Sequence, residues 1–367
     1  MNMKRVLQVV YNMSICGGIQ SFIMNVYKNI DKQRVQFDFL LCEHSDFSYE
    51  EEIKELGGNI YFISSRKQGV IKNKIDLNRF FKNHKYDIVH YHSDSLSNVE
   101  PLIAARNNDV QIRIMHCHNT NITSRLKMIY MFLHMLNKKR IDKIATNYLA
   151  CSKKAREWAY GGTRIYNDAQ VINNCIDISK FTNDEIKENE LRNKLGISKD
   201  NFVLCHTGRF EKVKNHEFIL DVFNKIKEKN NKAVLILVGN GTLYENIINK
   251  IQTMNLQSSV KCLGIREDIN TILRISNAFI YPSLYEGLGI SILEAEATGL
   301  PCIISDKVPD DAVINDNVIK LSLNDTSQKW ADCVLNNKKT KNNKLLIDKI
   351  YDINNTINEL KKIYKLS

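Results

Sequence analysis

The chain has 367 residues, 43% of them hydrophobic and 25% charged, which excludes a disordered chain and suits two soluble domains of roughly 150–200 residues better than one core. A net charge of +11, from 52 basic and 41 acidic side chains, favours an anionic partner such as a nucleotide diphosphate, nucleic acid or acidic membrane face, but cations spread over many Lys/Asn-rich helices read equally well as a solvated surface. No stretch reaches the ~18 uncharged apolar residues of a membrane span, and nine cysteines without a CxxC pair predict thiols in a cytosolic protein, not a disulfide frame or a zinc site.

Taken in chain order, the N-terminal MNMKRVLQVVYNMS has too short an apolar run for a signal peptide, and RVLQVV reads as a buried strand. In YNMSICGGIQSF, Gly17 and Gly18 let the backbone bend and approach a ligand, and the helix from Ile19 offers free N–H groups to an anion. The stretch is not GxGxxG and no acid closes the second strand, which disfavours a nicotinamide site; a plain strand-to-helix turn fits it as well. Further strands are expected at QFDFLLC, IYFI, DIVHYH, QIRIMHCH and KIATNYLAC, with helices at IQSFIMNVYKNI and KIDLNRFFKNH.

VHYHSD places His90 and His92 late in one strand, and MHCHN places His116 and His118 around Cys117 in the next. Alternate strand residues point the same way and no second ligand cluster is visible, so no metal is expected. SRLKMIYMFLHMLNKKRIDK follows. Leu126, Ile129, Met131, Phe132, Leu133, Met135 and Leu136 form a broad apolar stretch flanked by Arg125, Lys127, Lys138, Lys139 and Arg140. That pattern suits either a helix lying in an anionic membrane surface or one packed on its own domain.

The apolar pattern stops near VINNCIDISKFTNDEIKENE, which sets domains at 1–178 and 179–345; a helical tail, 346–367, reaches back to the first. In the second half, strands at NFVLCHTG, AVLILVG, VKCLG, AFIYPS and PCIIS alternate with helices at HEFILDVFNKIKEK, TLYENIINKIQTM and EDINTILRIS. Strands apolar on both faces and spaced by helices imply parallel sheets covered on both sides, hence two Rossmann-like α/β domains. Ligands bind such sheets beyond the carboxyl ends of the strands. There, HTGRFEKVKN carries Arg209 and Lys214, a fork and a point charge suited to a diphosphate. GIREDI carries Gly264 and Arg266, with Asp268 as the expected helix N-cap. In SLYEGLGISILEAEATGLP, Gly287, Leu288 and Gly289 expose backbone N–H groups at a helix N-terminus that favours phosphate. Glu286 in the turn and Glu294 on the helix are placed to accept from sugar hydroxyls, whereas Glu296 faces elsewhere.

Taken together, GGIQSF, LACSKKAREWAYG, VINNCIDISKF, GRFEKVKN, LVGNGTL, CLGIREDI and the E-x7-E stretch resemble, in order, the landmarks of retaining GT-B glycosyltransferases of family 4, and especially bacterial capsule and exopolysaccharide enzymes. Gln20 stands where an acid is frequent, and Cys175 where glycine is common. The resemblance implies two Rossmann-like domains with parallel sheets facing across a cleft. It implies that Glu286 holds the donor sugar's hydroxyls, Glu294 the ribose, and Arg209 and Lys214 the leaving diphosphate, with Gly17 and Gly18 approaching the phosphates; Arg266, by its place at a strand end, is a candidate for a nucleobase or ribose contact. A histidine of the first domain faces the donor sugar; His118-Asn119 matches the family's His-Asp pair better than His116 does, and His92 and His116 remain acceptor candidates.

The implied reaction moves a sugar from a nucleotide-diphosphate sugar, UDP-sugar favoured, to a glycan or lipid-linked acceptor at the inner face of the cell membrane. It needs neither cofactor nor metal. A non-catalytic nucleotide-sugar or glycan-binding protein and a nucleotide-sugar epimerase are the alternatives on this fold. An RNA-binding role is disfavoured, because the cations are not interleaved with stacking aromatics.

Overall fold

The computed structural model describes residues 3–15, 17–122, 126–338 and 350–366. Two compact units emerge, one of Met1–Cys175 with Ile353–Ser367, the other of Ile176–Asp352.

In the first unit, seven parallel strands, β1 (Lys4–Val9), β2 (Val35–Leu41), β3 (Ile60–Phe62), β4 (Ile88–Ser93), β5 (Ile112–Cys117), β6 (Asn147–Ala150) and β7 (Gln170–Val171), lie in the order β3-β2-β1-β4-β5-β6-β7. The helices are α1 (Gly18–Asn29), α2 (Glu50–Glu55), α3 (Val70–Asn83), α4 (Glu100–Asn107), α5 (Lys127–Lys138) and α6 (Lys153–Tyr160). Strand alternation decides the two faces. Leu7, Val9, Val89 and Met115 enter one core; Val6, Val10, Phe37, Phe39, Ile88 and Ile114 enter the other, under α1 and the C-terminal helix.

In the second unit, β8 (Phe202–Thr207), β9 (Ala233–Val238), β10 (Val260–Cys262), β11 (Ala278–Tyr281), β12 (Cys302–Ser305) and β13 (Val318–Leu321) run in the order β10-β9-β8-β11-β12-β13. Its helices are α7 (Glu185–Leu195), α8 (His216–Lys229), α9 (Tyr244–Thr253), α10 (Ile269–Arg274), α11 (Ile290–Ala297) and α12 (Ser327–Asn336). In α8, Ile219, Leu220, Val222, Phe223 and Ile226 bury the core-facing stripe. Asp184 caps α7 through the Lys187 N–H, and Gly196 at φ +63° ends it in the left-handed conformation.

Both sheets have the dinucleotide-fold order in which direction reverses at a switch point, here between β1 and β4 and between β8 and β11. The break between units falls at Cys175/Ile176, ahead of the 178/179 break read from polarity, because Ile176, Ile178 and Phe181 bury in the second unit's core. α13 (Ile353–Ile363) belongs to the first unit, where Ile353, Ile357 and Leu360 join the core beside α1. Residues 346–349 and 367 of the expected tail lie outside the described residues.

Candidate functional site

In the second unit the site grows from the switch point. Parallel pairing of β8 with β11 brings their carboxyl ends to one edge of the sheet. The loop after β8 passes through Arg209 and a short 3-10 turn, Lys212–Lys214, to Asn215 at φ +57°, where α8 begins. Two hydrogen bonds stitch this loop to the one after β11. The Leu284 N–H donates to the Val213 carbonyl at 2.8 Å, and Asn215 Nδ2 donates to the Pro282 carbonyl at 3.3 Å. Lys214 Nζ is thereby held 2.5 Å from Glu286 Oε1, and also donates to the Tyr281 hydroxyl. It lies 4.5 Å from the centroid of the Tyr281 ring. Lys214 and Glu286 are only 13% and 11% exposed, so the pair is shielded but reachable. Burial pulls the Lys214 ammonium below its ordinary range, Glu286 opposes that, and the nearby Arg209 charge adds to it. Arg209 itself is exposed.

Gly289 opens α11 at φ +84°, a conformation L side chains resist, while Leu288 buries and anchors the turn containing Gly287. Glu294 is half-buried on α11, and desolvation pushes its carboxyl up to about 7, with Lys180 acting in the opposite sense. Glu296 faces elsewhere, as its spacing predicts. It is fully buried, and its Oε2 accepts from the backbone N–H groups of Ile314 at 3.1 Å and Asn315 at 2.9 Å. Burial raises its carboxyl to about 8, with those two bonds lowering it.

Gly239, at φ +135°, has no room for a side chain: a Cβ there would sit 2.1 Å from the Gly208 carbonyl oxygen, so this glycine lets the β8 and β9 loops touch. Beyond β10, the Gly239 N–H donates to the Gly264 carbonyl at 2.8 Å. One expectation is corrected here. Asp268 occupies the N-cap position of α10 without capping it; its carboxylate accepts from Arg266 Nε at 2.8 Å and Nη2 at 2.6 Å. A bidentate guanidinium outcompetes a backbone N–H for a carboxylate.

In the first unit, Gly17 and Gly18 start α1, whose Phe22 lies edge-on over His116 with centroids 5.4 Å apart. Gln20 turns back, its Nε2 donating to the Asn12 carbonyl at 3.0 Å. Beneath α1, His92 and His116 are register partners, so His90, His92, His116 and His118 share one face of the sheet. His90 Nε2 lies 3.1 Å from His116 Nδ1, and His92 Nδ1 lies 2.9 Å from His118 Nε2. All four are buried. Burial pulls His90 and His118 down to about 3 and takes His92 and His116 well below their ordinary value, the neighbouring rings adding to this at His90, His92 and His116.

Among the described residues, His90, His92 and His116 each offer a nitrogen within 4.8 Å of the others, a clustering invisible in MHCHN alone. Neutral imidazoles suit a divalent ion. Yet the His90 and His116 nitrogens already face each other at hydrogen-bond distance, and a doubly charged ion would sit in this core without a carboxylate among these ligands. The donor set therefore fits a hydrogen-bond network better than a metal.

The sequence reading passed over three residues: Tyr281, the second partner of Lys214, Tyr364 in the C-terminal segment, and Gln8. Only Gln8 left a signal, as the polar side chain inside the apolar run VLQVV.

Residues 16–180 match the family model described as Glycosyltransferase Family 4, and residues 187–344 match that of Glycosyl transferases group 1. EpsF of Bacillus subtilis (strain 168) is 33% identical over 90% of this chain and 87% of its own. This chain belongs to glycosyltransferase family 4. An Escherichia coli relative of the family-4 enzyme, UDP-Gal:alpha-D-GlcNAc-diphosphoundecaprenol alpha-1,3-galactosyltransferase, is 31% identical over 80% of this chain and 77% of its own. Among solved structures, Anabaena Alr3699/HepE in complex with UDP and glucose superposes with a TM-score of 0.80 at 17% identity, covering 99% of this chain and 100% of that one. The fold is GT-B, and the protein is a glycosyltransferase.

Proposed function

We propose that this enzyme transfers a hexose from a nucleotide-diphosphate sugar, with UDP as the preferred nucleotide, to a lipid-linked glycan in surface polysaccharide synthesis. Anomeric configuration is retained and no metal takes part. The observation that carries this reading is the shielded Lys214–Glu286 pair with Arg209 beside it, at the carboxyl edge of the second unit's switch point. As the bond from the anomeric carbon to the diphosphate breaks, negative charge grows on the leaving oxygen. Arg209 and Lys214 supply fixed positive charge for it, and the N–H groups around Gly287 and Gly289 supply dipoles. Lys214 also holds Glu286 oriented to accept from sugar hydroxyls, Glu294 takes the ribose, and Arg266 sits on the nucleoside side. In the first unit Gly17 and Gly18 serve the phosphates and His118 a sugar hydroxyl, with His92 and His116 behind it. No carboxylate is assigned as nucleophile, so the acceptor hydroxyl attacks from the face the diphosphate leaves. The E. coli relative is named for a UDP-sugar donor and a diphosphoundecaprenol acceptor, which supports both choices.

Contact with an anionic membrane surface is assigned to α5. Its inward side is polar: the Leu96 N–H donates to His134 Nδ1 at 3.1 Å, and Asn137 Nδ2 donates to the Leu96 carbonyl at 2.6 Å. Its outward side is apolar, with Met128, Ile129, Phe132 and Met135 exposed. A helix packed on its own core has the opposite arrangement. Among the described residues no helix is long and apolar enough to cross a membrane. Arg125, one of the flanking cations, lies outside the described residues.

The deciding experiment mixes the protein with a panel of nucleotide-sugars and detects free nucleoside diphosphate and glycosylated polyprenyl diphosphate by mass. Release from a UDP-hexose that depends on acceptor is expected. Absence of release across the panel overturns the donor assignment.

A further inference from the structure

A neutral imidazole has one N–H and one lone pair, so the partner of one nitrogen dictates what the other can do. The hydrogen bonds of the four buried histidines converge on one side chain, Gln8 on β1. Gln8 is the register partner of His90 and is itself buried.

Two chains of hydrogen bonds leave its amide. On one side Gln8 Oε1 lies 2.9 Å from His92 Nε2, and His92 Nδ1 lies 2.9 Å from His118 Nε2. An amide oxygen only accepts. His92 therefore carries its proton on Nε2 and accepts at Nδ1, and His118 must donate from Nε2. On the other side Gln8 Nε2 donates to the Tyr364 hydroxyl at 3.5 Å, leaving that hydroxyl to donate to His90 Nδ1 at 2.8 Å. His90 then donates from Nε2 to His116 Nδ1 at 3.1 Å. The chains end at His118 Nδ1 and His116 Nε2, both buried and without a protein partner.

We propose that Gln8 is a positioning residue, which through His92 holds His118 in the Nε2–H tautomer and so leaves His118 Nδ1 as a hydrogen-bond acceptor. Tyr364 and His90 carry the same order to His116, which ends as a donor at Nε2. The inference rests on the reading above that His118 meets a sugar hydroxyl, and it adds a direction: a hydroxyl that reaches Nδ1, which is closed to water in this structure, has to donate. Burial keeps the rings neutral, whereas an imidazolium would donate from both nitrogens.

The test labels the histidines of the full chain with 15N and records long-range proton–nitrogen correlations, which distinguish the tautomers directly. In the unaltered protein, His92 and His118 should each show the pure Nε2–H pattern instead of the mixture of free imidazole. Gln8→Met, similar in size but unable to accept from His92, should move the His118 nitrogens towards the mixed values. It should also lower the transfer rate roughly fivefold, the worth of one neutral hydrogen bond. Tyr364→Phe should release His116 in the same way. An Nδ1–H pattern at His118 in the unaltered protein overturns the proposal even if no variant folds. So do His118 nitrogens that are identical in Gln8→Met and the unaltered protein. Either result leaves the donor assignment standing, because diphosphate release is measured separately. A protein that releases no diphosphate but shows the Nε2–H pattern keeps the relay and loses the transferase reading.

Discussion

Lys214 Nζ and Glu286 Oε1 stand 2.5 Å apart although 72 positions separate them in the chain, and each is nearly shielded from water. The pair makes the two loops of the second unit's edge one electrostatic object. Removing either partner leaves a charge behind, so the two substitutions differ from removal of an exposed cation.

Lys214→Ala should lower donor turnover by about 10²–10³-fold, the usual loss for a group that stabilises developing charge. Arg209→Ala, at an exposed position, should cost less and respond to salt. Initial rates of diphosphate release, with circular dichroism as the folding control, give the comparison. Full activity in the double variant would remove the clamp from the mechanism.

The raised carboxyl of Glu294 predicts a pH profile. Its value of about 7 means that at pH 6 the free enzyme carries mostly the neutral acid, a poorer acceptor for ribose hydroxyls. Donor kcat/KM should therefore rise with pH through about 7 and level off above it. In Glu294→Gln this limb should flatten while the rate falls overall; an unchanged limb would assign it to another group.

Glu296 predicts stability, not activity. Burial raises its carboxyl to about 8 in the folded state against an ordinary 4.5, so between these values the folded chain holds the extra proton and stability falls as pH rises. The slope contributed is at most about 1.4 kcal/mol per pH unit. Glu296→Gln, which can still accept from Ile314 and Asn315, should lose this slope and melt higher than the unaltered protein above pH 8. Thermal melts across pH 5–9 on the two proteins would show it, and parallel curves would contradict it.

Metal independence is expected of a site in which cations take the ion's place. Transfer should persist in excess EDTA. Complete loss, restored by Mn²⁺, would reject this reading and redirect attention to the His90, His92 and His116 nitrogens.

The outward side of α5 should drive membrane binding. Lys138 Nζ donates to the Trp158 carbonyl at 3.0 Å and Arg140 is held by Asn137, so substituting those cations would also loosen the helix. Met128→Gln, Ile129→Gln and Phe132→Gln combined change only exposed side chains. Sedimentation with anionic vesicles should fall strongly in this variant, and fall with salt in the unaltered protein. Equal sedimentation of the two would take α5 out of the membrane contact.

Much of this protein is legible in one dimension. Short apolar runs marked the strands RVLQVV, DIVHYH and AVLILVG, and a 3.6-residue period marked the helix HEFILDVFNKIKEK, where they occur, because both signals belong to a few neighbouring residues. Glycines between two glutamates announced the turn before α11 for the same local reason. What depends on register and on long-range pairing was not legible. Polarity alone set the first break at 178, whereas the burial of Ile178 and Phe181 in the second core sets it at Cys175. Asp268 reads as a cap until a guanidinium two residues away claims it. An apolar stripe tells that α5 is amphipathic, and only its neighbours tell that the polar stripe faces in. The histidines of β4 and β5 became one network because parallel pairing set them opposite each other, with Gln8 from β1 and Tyr364 from the far end of the chain closing it. Side-chain periodicity is a property of a few neighbouring residues, whereas a hydrogen bond between positions 8 and 92 exists only once the sheet has chosen its strand order.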